Sequence, residues 1–166
     1  MPEQYGWYPG QILIHHHAKS GYGAWVEREE QLCAGDEPRW IEHPPLGPLA
    51  DFVALPLDNL GGTTTFSWKE DAGDEEHAVG PADVVSVVGF PFGLAYGGFY
   101  PVWATGFVAT EPNVDCNELP TFLIDSRTRQ GQSGSPVIKH SNGGTIKLKS
   151  GASRMGGAAT TFLGIY

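Results

Sequence analysis

Sustained helical periodicity is absent from this chain: no segment repeats apolar residues at the three- and four-residue spacing that lines one face of a helix. Cations are scarce, with Lys+Arg 10 against Asp+Glu 19 and a formal charge of -9. That balance excludes a nucleic-acid partner held by phosphate contacts. Cysteine is nearly missing: Cys33 and Cys116, one in each half, cannot make a disulfide framework. No apolar run reaches the length that spans a bilayer, so no membrane partner is expected. The first residues hold no basic region followed by an apolar core. No signal peptide is read there, and the expected location is the cytoplasm.

What the chain does have is glycine and proline, 23 and 13 residues, set between short β-branched runs. Turn residues at such spacing point to an all-β protein. Acidic residues cluster at Glu27-Arg28-Glu29-Glu30 and from Glu70 to Glu76, runs of the kind that form solvated loops. Residues 58–78, mostly polar and opening with a Gly/Thr cluster, read as a connection between two halves.

The most informative stretch is Gly131-Gln132-Ser133-Gly134-Ser135-Pro136. Glycine accepts positive φ and close backbone approach. Gly131 and Ser133 can therefore aim their N–H groups at one point, as an oxyanion requires. A plain Ser/Gly turn before the strand at Val137 is the competing reading. Upstream, a hydrophobic run from Leu49 to Leu57 is interrupted by a single carboxylate, Asp51. Aspartate is disfavoured in strands. It reads either as the partner of a catalytic imidazole or as a residue on an exposed strand edge.

In order and spacing, these motifs resemble the trypsin-like serine protease family, in its bacterial branch near the high-temperature-requirement proteases. Asp51-Phe52-Val53-Ala54-Leu55 resembles the catalytic-aspartate strand. The segment from Val84 through Gly89-Phe90-Pro91-Phe92-Gly93-Leu94 resembles the Gly-x-Pro-Phe-Gly stretch early in the second barrel. Gly106-Phe107-Val108-Ala109, Phe122-Leu123-Ile124-Asp125 and Phe162-Leu163-Gly164-Ile165-Tyr166 resemble the strands around the serine loop. The resemblance covers about residues 11–166. It implies an all-β, chymotrypsin-like double antiparallel β-barrel, with residues 1–57 a remnant of the first barrel, 58–78 the connection and 79–166 the second. It also implies that both barrels are incomplete, the first without its N-terminal strands and the second without its last strand and closing helix. A complementing chain is one way to supply them.

The resemblance further implies Asp51 and Ser133 as catalytic residues and the N–H groups of Gly131 and Ser133 as the oxyanion hole. Arg127 and Gln130 fall at the substrate pocket, where Arg127 would favour an acidic side chain before the scissile bond. Pairing of Arg127 with Asp125 is the alternative. Gln132 stands where some relatives carry an acid that pairs with a newly cut N-terminus, so that route of activation is not expected. The implied substrate is a polypeptide, with no cofactor and no metal.

One element of the family pattern is not matched: no segment before Asp51 has the Thr-x-x-His-Val form of the catalytic histidine. His43 lies in a proline-rich connection, and His77 and His140 come too late in the chain. The triplet His15-His16-His17 admits three readings: solvent-facing strand residues, a zinc-binding pair, or a displaced catalytic imidazole. Zinc needs a third or fourth ligand, and neither cysteine is at ligand spacing. Two functions follow: a serine endopeptidase lacking its histidine, and a non-catalytic peptide-binding or interaction module that keeps the fold. A β-sandwich with a coincidental Ser/Gly turn is a third.

Overall fold

A computed structural model describes residues 10–66, 68 and 77–166. The acidic run at 70–76 lies outside the described residues. The chain divides into two compact units, Met1–Ser67 and Trp68–Tyr166.

The first unit is built from three antiparallel hairpins. Strands β1 (Gln11–His17) and β2 (Trp25–Gln31) pair from Gln11↔Gln31 to His17↔Trp25. Strands β3 (Cys33–Ala34) and β4 (Glu37–Pro38) form the second, and β5 (Ile41–Glu42) and β6 (Val53–Ala54) the third. Among the described residues of this unit only Glu30 and Thr63 are buried, so it has no core of fully buried apolar side chains, and backbone ladders are supplemented by half-buried residues and polar contacts. Arg39 is their hub: it donates to Gln31 O at 3.0 Å, pairs with Asp58 and lies 3.7 Å from buried Glu30. The histidine triplet sits on β1, where His15 Nδ1 lies 3.4 Å from Glu27 and His17 stacks on Trp25 at 4.3 Å. Both are contacts between directly opposed cross-strand residues.

The second unit is a five-stranded antiparallel sheet of β7 (Val84–Gly89), β8 (Val102–Val108), β9 (Ile124–Asp125), β10 (Pro136–Ser141) and β13 (Ala159–Ile165). Their order across the sheet is β13-β10-β7-β8-β9. A small hairpin, β11 (Thr145–Lys147) and β12 (Ser153–Met155), lies between β10 and β13 in the chain. The core is aliphatic: Val85, Val87, Val108 and Val137, each at most 4% exposed, with Phe122, Ile124 and Leu163 packed against them. β-branched residues at this density suit a pleated, half-buried surface. The protein is thus all-β. The sheet is open, with β13 and β9 as its edges, and no closed barrel forms among the described residues.

His77 fastens the start of this unit to the edge strand. It is 1% exposed; its N–H donates to Thr161 Oγ1 at 3.2 Å, and its Nδ1 lies 2.8 Å from the same oxygen. Burial, and then the charges of Lys139 and Arg154, hold this imidazole below its ordinary pKa of 6.5. Protons therefore bind the unfolded chain more readily than the folded one. The contribution of His77 to stability is whole above pH 6.5 and declines as pH falls from there toward the lower folded pKa. The Asp83 carboxyl is raised by burial but lowered more by hydrogen bonds from Lys139 and the Gly80 N–H, so its net shift is downward and its loss comes only at more acidic pH. Urea midpoints at pH 7.5 and 5.0 are expected to fall with acid in the parent chain and to fall less in His77→Gln. Equal losses in the two proteins would contradict this.

Candidate functional site

The serine loop is closed by its own backbone and one buried amide. Gln132 is fully buried, and its Oε1 accepts the Arg129 N–H at 2.7 Å. The Gln132 N–H donates to Arg129 O at 3.2 Å, and the Ser135 N–H donates to Gln132 O at 3.0 Å. The loop is also tied to the residue after β13: Gly134 N–H donates to Tyr166 O at 2.8 Å, and Tyr166 N–H donates to Ser135 O at 2.9 Å. The position where the resemblance would allow an activating acid thus holds a neutral side chain turned inward to the loop itself.

A second turn supports the first. Strand β7 runs into a 3-10 turn at Pro91–Gly93, and the Phe92 N–H donates to Gln130 O at 2.7 Å. Two glycines permit the approach. A Cβ on Gly89 would lie 2.0 Å from Ser135 Oγ, and one on Gly131 would lie 2.8 Å from Phe90 O. Gly131 also has φ +91, in the region that side chains other than glycine rarely enter. The Gly-Phe-Pro-Phe-Gly stretch and the serine loop, about forty residues apart in the chain, are therefore packed backbone against backbone.

Ser133 stands exposed on this loop. Among the described residues the N–H groups of Gly131 and Ser133 donate to nothing. An exposed serine with two unengaged N–H donors on the same loop offers two of the parts acyl transfer uses, a nucleophile and donors for an oxyanion. The third part, a base, is not bonded to it. The two described histidines of this unit are engaged elsewhere, His77 by Thr161 and His140 by Thr160 Oγ1 and Asn142 Oδ1, each at 2.7 Å from the His140 ring.

Asp51 belongs to the other unit. Sequence reading expected it within a strand-like run, but only Val53–Ala54 of that run is strand. Asp51 instead caps the 3-10 turn at Pro48–Ala50 in the left-handed region, φ 53 and ψ 26, with its N–H donating to Pro48 O. It is exposed, and its carboxylate has no hydrogen bond or ion pair among the described residues. Across the β5–β6 hairpin the His43 ring meets Phe52 edge-on at 5.9 Å, while its Nδ1 accepts the Leu46 N–H at 3.3 Å.

The pocket candidates differ in what they do. Gln130 contributes its carbonyl to the contact with Phe92, whereas Arg127 is exposed and makes no ion pair with Asp125 among the described residues. No group of three or more His, Cys, Asp or Glu among the described residues is placed to hold a metal ion. The sequence reading missed the role of Gly89 and the burial of Gln132. A glycine ending a β-branched run, immediately before Phe-Pro-Phe-Gly, was the available signal of close backbone approach. No protein-family model matches the chain, and no curated protein or solved structure matches it.

The two-turn packing ranks three substitutions. Gly89→Ala and Gly131→Ala are expected to destabilise the chain by about 2 kcal/mol or more each, through overpacking against backbone or a buried hydroxyl. Gly134→Ala, where φ is +81 but the space is open, should cost about 1 kcal/mol. Denaturation midpoints check the order, and a Gly134 variant as damaged as the other two would contradict it.

Proposed function

We propose that this chain is a serine endopeptidase of the trypsin-like type, with a chymotrypsin-like double-barrel frame, Ser133 as nucleophile and the Gly131 and Ser133 N–H groups as oxyanion hole. The observation that carries the reading is the loop itself: an exposed serine whose own N–H, like that of Gly131, is an unengaged donor, on a loop packed against the turn at Pro91–Gly93. Those segments of the family resemblance that lie in the second unit support it, because they are neighbours in space as well as in order. β8 and β9 pair beside β7, and the residue following β13 binds the serine loop. Asp51 is the orienting carboxylate in this reading, and a peptide bond is the substrate.

The missing part sets the activity. Without an imidazole to take its proton, the serine hydroxyl is a weak nucleophile. Loss of one member of a serine triad removes on the order of a millionfold in turnover. The described chain is therefore a protease site with little turnover of its own. One observation favours a second reading, a non-catalytic peptide-binding module on the same fold: neither Ser133 nor the Asp51 carboxylate has a histidine partner among the described residues.

A fluorophosphonate probe with peptide mapping tests the assignment. Slow labelling at Ser133 is expected, accelerated by added imidazole and abolished in Ser133→Ala. No labelling of Ser133 even with imidazole would overturn the nucleophile assignment. Fast labelling in its absence would overturn the missing base.

A further inference from the structure

The chain has four asparagines, in the contexts Asn59-Leu60, Asn113-Val114, Asn117-Glu118 and Asn142-Gly143. The backbone nitrogen of the following residue is the nearest nucleophile to an asparagine amide carbon, and a side chain on that residue obstructs its approach. Only Asn142 is followed by glycine, which carries none.

Asn142, Gly143 and Gly144 form the exposed link between β10 and β11. The Gly144 carbonyl accepts the Gly156 N–H at 2.9 Å, but the Gly143 N–H donates to nothing among the described residues. Gly143 has φ +145, and a Cβ built there would meet nothing within 4 Å. The attacking nitrogen is therefore unengaged, open to water and in uncrowded surroundings.

The amide that it would attack is already held at its oxygen. His140 Nε2 lies 2.7 Å from Asn142 Oδ1, and His140 Nδ1 lies 2.7 Å from Thr160 Oγ1. An amide oxygen only accepts, so the neutral ring carries its proton on Nε2, and Nδ1 accepts from the Thr160 hydroxyl. Thr160 stands directly opposite His140 in the β10–β13 pair, and Trp103 meets the ring edge-on at 6.0 Å, so the imidazole is oriented by its neighbours as well as by Asn142. Negative charge develops on Oδ1 when a nucleophile adds to the amide carbon. A donor already in place there stabilises it.

We propose that Asn142 is a self-modification site, converted to aspartate and isoaspartate through a succinimide, with the His140 Nε2–H as the oxyanion donor. Water takes the Gly143 N–H proton and the nitrogen bonds to Asn142 Cγ; the Cγ–Nδ2 bond then breaks, and Nδ2 leaves as ammonia on a proton returned by water. A second water opens the ring. Attack at Cγ restores the ordinary backbone with an aspartate, and attack at the backbone carbonyl leaves isoaspartate, with the chain running through the former side chain. The new carboxylate would be the only acidic side chain in residues 126–166, a stretch that holds Arg127, Arg129, Lys139, Lys147, Lys149 and Arg154. The site is independent of the serine reading and stands if that reading fails.

The test is incubation of the full chain near neutral pH in oxygen-18 water, with peptide mapping that separates asparagine, succinimide, aspartate and isoaspartate at each of the four positions. Conversion at Asn142 ahead of the other three is expected, with a transient succinimide and with isoaspartate among the products. Removing one oxyanion donor from a water-excluded enzyme site costs about a hundredfold or more, and at this exposed site His140→Ala is expected to slow conversion about fivefold in the folded chain. In urea, where the contact is lost, parent and variant should convert alike, which separates support by the folded ring from the intrinsic reactivity of Asn-Gly. Thr160→Val keeps His140 but removes the hydroxyl that orients it, and should slow the folded chain by less. Asn142 converting no faster than the other asparagines, aspartate formed without succinimide or isoaspartate, or equal folded-state rates in the parent and His140→Ala would each overturn the proposal. His140 and Thr160 are both exposed, so neither variant removes a buried side chain, and matching denaturation midpoints verify that both are folded.

Discussion

The contact that the candidate site depends on is the packing of the serine loop onto the turn that follows β7. It requires hydrogen at two Cα positions where any other residue places a carbon, at Gly89 against Ser135 and at Gly131 against Phe90. Once the backbones are that close, the Phe92 N–H reaches Gln130 O, and Gln132 is enclosed with its amide oxygen on the Arg129 N–H. The loop is then over-determined, as strained functional turns have to be. Gly131 and Ser133 remain exposed on its outer edge, while Gln132 is buried beneath them with its amide oxygen bonded to the Arg129 N–H.

The two units differ in the physics that holds them. Trp68–Tyr166 has a conventional aliphatic core under a five-stranded sheet. Met1–Ser67 has no fully buried apolar side chain among its described residues and is organised by Arg39 and by Arg28, which reaches Gly61 O at 2.8 Å. Exposed pairs of this kind contribute little each. The same contrast runs through the candidate residues: Ser133 is on a loop anchored to a core, whereas Asp51 is an exposed cap on a short turn.

Much of the fold class was legible, because it depends on local signals. β-branched runs such as Val84-Val85-Ser86-Val87-Val88 become strands, and the Gly-rich stretches between them become turns. Asp51 shows the limit of alternation as a guide. Gly47 and Pro48 start a tight turn, aspartate accepts the left-handed conformation that ends it, and these local preferences prevail over the hydrophobic run that follows. His77 was illegible for a different reason. Beside an acidic run it reads as part of a solvated connection, whereas in the fold it is buried and bonded to Thr161, 84 residues further on. No pattern in one sequence reports a contact of that range. The serine loop was legible as a motif, but its support by Gly89 was not, since that too is a long-range approach.

The central claim is that the serine loop presents a nucleophile and an oxyanion site together, and a peptide boronate tests it most directly. A serine hydroxyl converts trigonal boron to a tetrahedral adduct whose oxygen is held by the hole donors. The account predicts a tetrahedral boron-11 signal in the parent chain, absent in Ser133→Ala, together with shifts of the Gly131 and Ser133 amide resonances on binding. Boron that stays trigonal, or an adduct that survives in Ser133→Ala, would contradict it.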